Sequence, residues 1–378
     1  MTVKLSGRID SSNAVQAEAN IKKQIGDYNG ELVLDAEELE YISSVGLRII
    51  LRLKKANKST KIINCSPEVY DIFEMTGFTE MMDISRAYRK LSVDGCKVLG
   101  EGANGIVYRI TPDTVIKVYK NPDSLEEIQR ERELARKAFV MGVPTAIPYD
   151  VVQVGELYGS VFELLEAKSF AKLMNEGASV EELAKQSVEV LKTIHGTILN
   201  DGELPSKKQE AMKWAEYSAD FLPAEIGEKL VKLFSDIPET NNMLHGDFHI
   251  KNIRQQNGEN LLIDMETLSM GHPVFELAAV FGAHAGYGCI DTKACTDFLG
   301  VSWDKCSDFW NYTVKYYFEG EAQDAVEANT KMTETVCYAQ LLRWMSVSPD
   351  DLPHSDKIIA FCSDYLTETV PKLDKLYF

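Results

Sequence analysis

The segment Leu244-His245-Gly246-Asp247-Phe248-His249-Ile250-Lys251-Asn252, followed by the apolar run Leu261-Leu262-Ile263-Asp264, constrains this chain more than any other stretch. In-line phosphoryl transfer needs a carboxylate beside the attacking hydroxyl and oxygen ligands for magnesium. The D-x-x-x-x-N spacing supplies both from one loop. On that reading Asp247 accepts the substrate proton and Asn252 binds metal. Asp264, ending an apolar strand a short hairpin later, binds metal between the phosphates. Each residue alone is ordinary, since Asp and Asn favour turns. Their order carries the chemistry.

Two motifs precede this loop. Gly100-Glu101-Gly102-Ala103-Asn104-Gly105, with Val107 two residues on, is weak evidence by itself. Strand-like segments flank it on both sides, which fits a glycine-rich loop over phosphates and disfavours a strand–helix dinucleotide site. Twelve residues after Gly105, Val115-Ile116-Lys117-Val118 sets one lysine in a β-branched strand. Alone it reads as an edge lysine with a solvated head; behind the glycine loop it is placed to neutralise the α- and β-phosphates. The next helix offers a partner carboxylate. Glu131 has Leu134, Ala135, Ala138 and Phe139 at +3, +4, +7 and +8, so it borders the buried face, with Glu133 as second choice.

Around these motifs the chain divides in two. Residues 1–90 alternate between strands (3–5, 31–35, 61–64) and helices. The helices open near Ser11–Ser12, at Ser44, and at Ser66-Pro67, where proline takes the first helical position; Gly77 ends the last of them. This is a small α/β domain. Residues 91–378 begin with strands at 97–99, 106–110 and 114–119, a helix over 125–140, and strands at 151–154 and 160–165. A mostly helical region follows from Val180, interrupted by β-like structure over 245–264. That is a bilobal α+β design, N-lobe 91–166 and helical C-lobe 167–378, with its cleft as the natural ligand site.

Charge is unevenly placed. Residues 1–90 hold thirteen basic and thirteen acidic side chains, whereas 91–378 hold 27 basic against 45 acidic, so the net −18 lies in the second part. Such a surface repels nucleic acid and anionic membrane, and favours cationic small molecules or metal ions. The seven cysteines are scattered without a C-x-x-C pair, so free thiols are expected. No apolar run reaches the ~18–20 residues of a membrane span, and the charged N-terminal segment does not read as a signal peptide. The expected location is cytoplasmic.

Residues from about 92 onward resemble the aminoglycoside phosphotransferase and choline kinase group of the protein-kinase-like superfamily. The motifs that carry the resemblance are GEGANGIVY, VIKVYK, HGDFHIKN and IDMETLSMGHPVFELA. Gly246 stands where protein kinases carry arginine, and His249 matches the small-molecule branch. The short distance from Asp264 to Gly271-His272-Pro273 leaves no room for a long activation loop. Glu276 departs from the usual Asp at a structural support of the catalytic loop, and Met265 is a milder departure. The resemblance implies ATP and magnesium as cofactors and phosphates under Gly100, Gly102, Gly105 and Val107. It also implies a hinge at Glu163-Leu164-Leu165, where the backbone of Glu163 and Leu165 meets adenine. The acceptor pocket is expected from segments 201–242 and 283–346. There, Trp303, Phe309, Trp310, Tyr312, Tyr316, Tyr317 and Trp344 suit either an amine cage or, by their helical spacing, core packing.

Residues 1–90 resemble a STAS domain, the fold of bacterial anti-sigma factor antagonists, through LSGRIDSSNA, LVLDAEELEYISSVGLRIILRLKK and IFEMTGF. In that family the serine opening the second helix is a phosphorylated switch, and Ser44 occupies it, preceded by Ser43 instead of the common Asp. The structural alternative is a helix N-cap at Ser44. Three functions follow. The first is a kinase for a small, amine-bearing alcohol with STAS as a regulatory or protein-docking module. The second is a signalling kinase for a STAS serine, its own Ser44 or a partner's. The third is a nucleotide-binding scaffold.

Overall fold

The computed structural model describes residues 1–28, 30–102, 104–347 and 355–378. Its residues group into two compact units, 1–92 with 151–157, and 93–150 with 158–378.

The first unit contains β1 (Thr2–Ile9), α1 (Ala14–Ile25), β2 (Leu32–Ile42), α2 (Ser44–Ala56), β3 (Thr60–Cys65), α3 (Pro67–Met75), the single-turn α4 (Phe78–Met81) and β4 (Ile84–Arg86). The four strands form a parallel sheet in sequential order. Parallel neighbours need crossovers, and α1, α2 and α3 supply them. Leu5, Leu34, Ile50, Ile62 and Phe73 are among its buried side chains. After β4, the two-residue β5 (Arg89–Lys90) pairs in parallel with Val152 and Gln153.

Several local expectations shift here. β2 runs to Ile42 and not to residue 35, because Leu39 and Ile42 are also buried and β1 continues beside it across two register shifts. α1 starts at Ala14; Ser11 and Ser12 stay in the preceding turn, where the Ser12 amide and hydroxyl both bond Asp10. The cap of α2 is Ser43, whose Oγ accepts from the Gly46 amide at 3.5 Å, so Ser44 is the exposed first residue of the helix and not its cap. Ser66 caps α3 with Pro67 in the first turn, as the spacing indicates.

The second unit opens with β6 (Lys97–Glu101), β7 (Gly105–Arg109) and β8 (Thr114–Tyr119), then α5 (Leu125–Val140), β9 (Pro148–Val154) and β10 (Leu157–Glu163). β10, β8, β7 and β6 are successive antiparallel neighbours. α5 buries Ile128, Glu131, Leu134, Ala135 and Ala138. Phe139, expected on that face, is instead 45% exposed near the helix end.

The helical part comprises β11 (Lys168–Ser169), α6 (Phe170–Asn175), α7 (Val180–Gly196), α8 (Lys207–Ala219), α9 (Ala224–Ser235), β12 (Met243–Leu244), β13 (Ile253–Gln256), β14 (Glu259–Leu262), β15 (Ser269–Met270) and α10 (Val274–Phe281). It ends with α11 (Thr292–Leu299), α12 (Trp303–Tyr317), α13 (Gln323–Val347) and α14 (Ser355–Thr369). Phe309 and Trp310 are buried in its core, and Trp303, Tyr312 and Tyr317 pack against that core. Trp344 is 65% exposed. Core packing therefore accounts for most of the aromatic series. No helix among the described residues is long and apolar enough to cross a membrane, and the cysteines are free.

Candidate active site

β12 pairs antiparallel with β15, Leu244 facing Ser269, and delivers the chain into the loop at His245. Two features hold that loop. Gly246 adopts φ +87°, and a Cβ there would meet the Thr267 carbonyl oxygen at 2.5 Å. An arginine could occupy neither the conformation nor the space. The second feature is Glu276 on α10, buried at 1% exposure. Its carboxylate accepts the Gly246 amide at 3.0 Å and also the His245 amide. Burial pushes the Glu276 carboxyl up to about 7 despite these bonds. Glu276 thus supports the loop from α10.

His245 is fully buried. Its Nδ1 accepts the Asp247 amide at 3.2 Å and its Nε2 donates to the Ile263 carbonyl at 3.1 Å. Thr267 Oγ1 donates to the His245 carbonyl at 2.7 Å. These bonds aim Asp247, whose side chain is 51% exposed. Its Oδ2 accepts Asn252 Nδ2 at 2.9 Å and lies 3.5 Å from His249 Nε2. Burial alone would raise the Asp247 carboxyl. The His249 and His245 rings and the Asn252 bond outweigh it and hold the carboxyl below its ordinary value, so Asp247 is ionised at neutral pH.

Lys117 on β8 faces Val107 on β7 and Ser160 on β10. Its Nζ lies 3.1 and 3.3 Å from the two oxygens of Glu131 and 4.0 Å from Asp264 Oδ1. Glu131 is buried and Glu133 exposed. Burial pulls the Lys117 ammonium down, but Glu131, Asp264 and Glu266 more than offset it, and it stays charged. Asp264 sits in the left-handed region at φ +61°, a conformation Asp tolerates better than most residues, and its side chain is 44% exposed.

The glycine loop is tied at its base. Gly102 N donates to the Gly105 carbonyl at 2.9 Å, and Lys120 Nζ reaches the Gly102 carbonyl at 3.1 Å. A Cβ on Gly100 would meet open space and one on Gly102 only the Gly105 carbonyl oxygen at 4.0 Å, whereas on Gly105 it would strike the Val118 carbonyl at 2.6 Å. Gly105 is thus required by the β7–β8 ladder, and the first two glycines leave room for a ligand. Ala103 lies outside the described residues. At the end of β10, the Glu163 amide donates to the Ile147 carbonyl and the Leu164 amide to the Asp113 carbonyl.

No group of three or more His, Cys, Asp or Glu suited to holding a metal occurs among the described residues. The donor set at the cleft is two oxygen-bearing side chains, Asn252 and Asp264. Asn252 turns its Nδ2 toward Asp247, so its amide oxygen points elsewhere. A hard divalent cation that keeps waters and takes substrate phosphates suits such a pair.

The model of the phosphotransferase enzyme family (APH) matches residues 95–291, and that of the STAS domain matches residues 1–91. The chain belongs to the phosphotransferase enzyme family. Its N-terminal domain is a STAS domain. This domain is 32% identical over 87 residues to a candidate anti-sigma factor antagonist, BtrV of Bordetella bronchiseptica, covering 22% of this chain and 75% of that protein. Two solved structures of thermostable mutants of the aminoglycoside phosphotransferase APH(4)-Ia are similar to the phosphotransferase in fold. The ternary complex with AMP-PNP and hygromycin B gives a TM-score of 0.52, and that with ADP and hygromycin B gives 0.51. Each is 14% identical and covers 74% of this chain and 94% of its own. The kinase-like fold of the second unit agrees with them.

The structure adds groups the motifs did not single out. Tyr119, buried, donates its hydroxyl to Glu131. Glu266, two residues past Asp264, has its carboxyl raised by burial and by the neighbouring Glu131, Asp264 and Asp247 charges, against the pull of Lys117. The i+2 spacing from Asp264 was the available signal for Glu266. Nothing local marked Tyr119.

Proposed function

We propose that this phosphotransferase moves the γ-phosphoryl group of ATP, with magnesium, to a hydroxyl of a small amine-bearing molecule. Its catalytic domain is residues 91–378, and residues 1–90 act as a regulatory or docking module. The observation that carries the reading is the position of Lys117, between Glu131 at 3.1 Å and Asp264 at 4.0 Å. One cation thereby ties the N-lobe strand and helix to the carboxylate that follows the catalytic loop. In this reading Lys117 pairs the α- and β-phosphates, and Gly100, Gly102, Gly105 and Val107 cover them. The hinge at Glu163 and Leu165 meets the base.

Asp247 orients the acceptor hydroxyl and takes its proton as the oxygen bonds to the γ-phosphorus and the bond to the β-phosphate oxygen breaks, releasing ADP. Asp247 is ionised and partly exposed, as this role requires. Asn252 and Asp264 would hold magnesium, which supplies charge neutralisation on the phosphates. With Phe309 and Trp310 committed to the core, the attraction for an amine falls to the carboxylates Asp247, Asp264 and Glu266. Nucleic acid and membrane are not expected partners of so acidic a domain, and a cytoplasmic location fits small-metabolite chemistry.

The test is ADP release with MgATP across aminoglycosides, choline-like amines and sugars, with intact mass of the protein read in parallel. Acceptor-dependent release that disappears in Asp247→Ala supports the reading. A specific observation favours a second one: Ser44 is exposed in the first turn of α2, where a phosphate dianion would face the helix N-terminus. One phosphate gained on Ser44, with no acceptor stimulating turnover, would establish a signalling kinase. Nucleotide binding without any turnover would leave a scaffold.

A further inference from the structure

Phe298 stands beside the reacting carboxylate with nearly half its surface in solvent. It lies on α11, where its neighbours Cys295 and Leu299 are each 1% exposed and belong to the core. Phe298 itself is 46% exposed. Its ring meets the His249 ring edge-on, with centroids 5.1 Å apart and planes at 85°. His249 Nε2 in turn lies 3.5 Å from Asp247 Oδ2. One imidazole therefore separates an exposed phenyl ring from the carboxylate that, in the reading above, takes the acceptor's proton.

The ring is held in this place from two sides. Lys251 Nζ donates to the Phe298 carbonyl at 3.0 Å, and the Lys251 amide donates to His249 Nδ1 at 3.2 Å. Two residues beyond Phe298, Gly300 takes φ +73°, and its carbonyl accepts Asn175 Nδ2 from the end of α6 at 2.7 Å. The end of α11 is thus tied both to the loop and to α6. A surface fixed in advance costs a ligand little ordering.

Charge decides what that surface suits. Lys251 Nζ lies 5.2 Å from the Phe298 ring centroid. A second cation at the ring would meet the first, so its free area suits uncharged carbon. The amine of an acceptor is left to the carboxylates already named. Single exposed apolar side chains are ordinary, but this one borders the reacting group.

We propose that Phe298 is an apolar wall of the acceptor site and selects acceptors that carry a hydrocarbon face close to the reacting hydroxyl. This rests on the phosphotransferase reading above, in which Asp247 fixes where that hydroxyl sits. The plain alternative is a ring that only props His249.

Initial rates of ADP release by the full chain with MgATP decide between them. The acceptors are linear amino alcohols from ethanolamine to aminohexanol, with aminoglycosides and sugars alongside. In wild type, KM should fall as the alkyl chain lengthens. Phe298→Ala should raise KM about ten-fold for aminohexanol and less than about two-fold for ethanolamine. KM for MgATP should stay within about two-fold of wild type. Phe298→Leu, which keeps apolar surface, should recover most of the loss. If Phe298→Ala does not fold, as read by thermal melting, Phe298→Thr takes its place under the same criteria. Turnover confined to acceptors without a hydrocarbon face, or acceptor KM within about two-fold of wild type in Phe298→Ala, overturns the wall and leaves the phosphotransferase reading standing. A fall in kcat with acceptor KM unchanged makes Phe298 a support for His249 and overturns the selection. No ADP release by wild type with any acceptor overturns both.

Discussion

Glu276 holds the loop that follows β12 by accepting the backbone amides of His245 and Gly246, thirty residues away in sequence for Gly246. The pair explains how a loop with a left-handed glycine keeps Asp247 aimed. It also places an ionisable group in a buried position.

Replacing Glu276 with alanine leaves two buried amides without an acceptor. Each such group is worth about 1–3 kcal/mol. A loss of roughly 3 kcal/mol in chemical denaturation is expected, together with loss of phosphotransfer. A variant as stable as wild type would show that water or another group supports the loop.

Glu276 also predicts a pH dependence. Its carboxyl sits at about 7 in the fold against an ordinary 4.5, so the folded state binds its proton more tightly. Its contribution to stability is fully present below about pH 4.5 and is lost as pH rises through about 7. Denaturation curves at pH 5.5 and 8 should therefore differ less in Glu276→Gln than in wild type, since glutamine does not titrate. Equal differences in the two proteins would assign the dependence to other groups.

Gly246→Ala should disable the loop. Its Cβ would press on the Thr267 carbonyl at 2.5 Å, in a backbone conformation that alanine disfavours. The expected cost is about 1–3 kcal/mol in stability, with phosphotransfer falling further because Asp247 shifts. Wild-type kinetics in this variant would refute the argument.

Tyr119 is expected to position Glu131. Its hydroxyl donates to the same carboxylate that pairs Lys117, and the Lys117 ammonium lies 4.9 Å from its ring centroid. Tyr119→Phe keeps the ring and removes the bond. Hydrogen bonds to charged groups are worth about 1.5–3 kcal/mol, so kcat/KM for MgATP should drop by about ten-fold or more. In Glu131→Gln background the same change should have a smaller effect. Additive effects would mean that the two act independently.

The two serines at the start of α2 separate capping from signalling. Ser43→Ala removes the bond to the Gly46 amide and should cost about 1 kcal/mol of STAS-domain stability. Ser44→Ala should change stability by less than about 0.5 kcal/mol, being exposed and outside the cap. The reverse order in thermal melts would return the cap to Ser44.

What the sequence determined by itself was everything that depends on short-range pattern. The alternation of strands and helices, the limits of α5, the Ser66-Pro67 start of α3, and the spacing of Lys117, Asp247, Asn252 and Asp264 all follow from periodicity, capping chemistry and loop length. Tertiary packing decided what depends on the rotation of one element against another. Burying Ile128, Leu134, Ala135 and Ala138 turns Glu131, not Glu133, toward Lys117. The same packing leaves Phe139 outside and brings Tyr119 onto the carboxylate. Glu276 reaches amides thirty residues back, Gly246 closes on Thr267, and α11 sets Phe298 against His249. Such contacts join residues distant in the chain. Their partners are chosen by which side chains can be buried together, and no window of sequence contains both members.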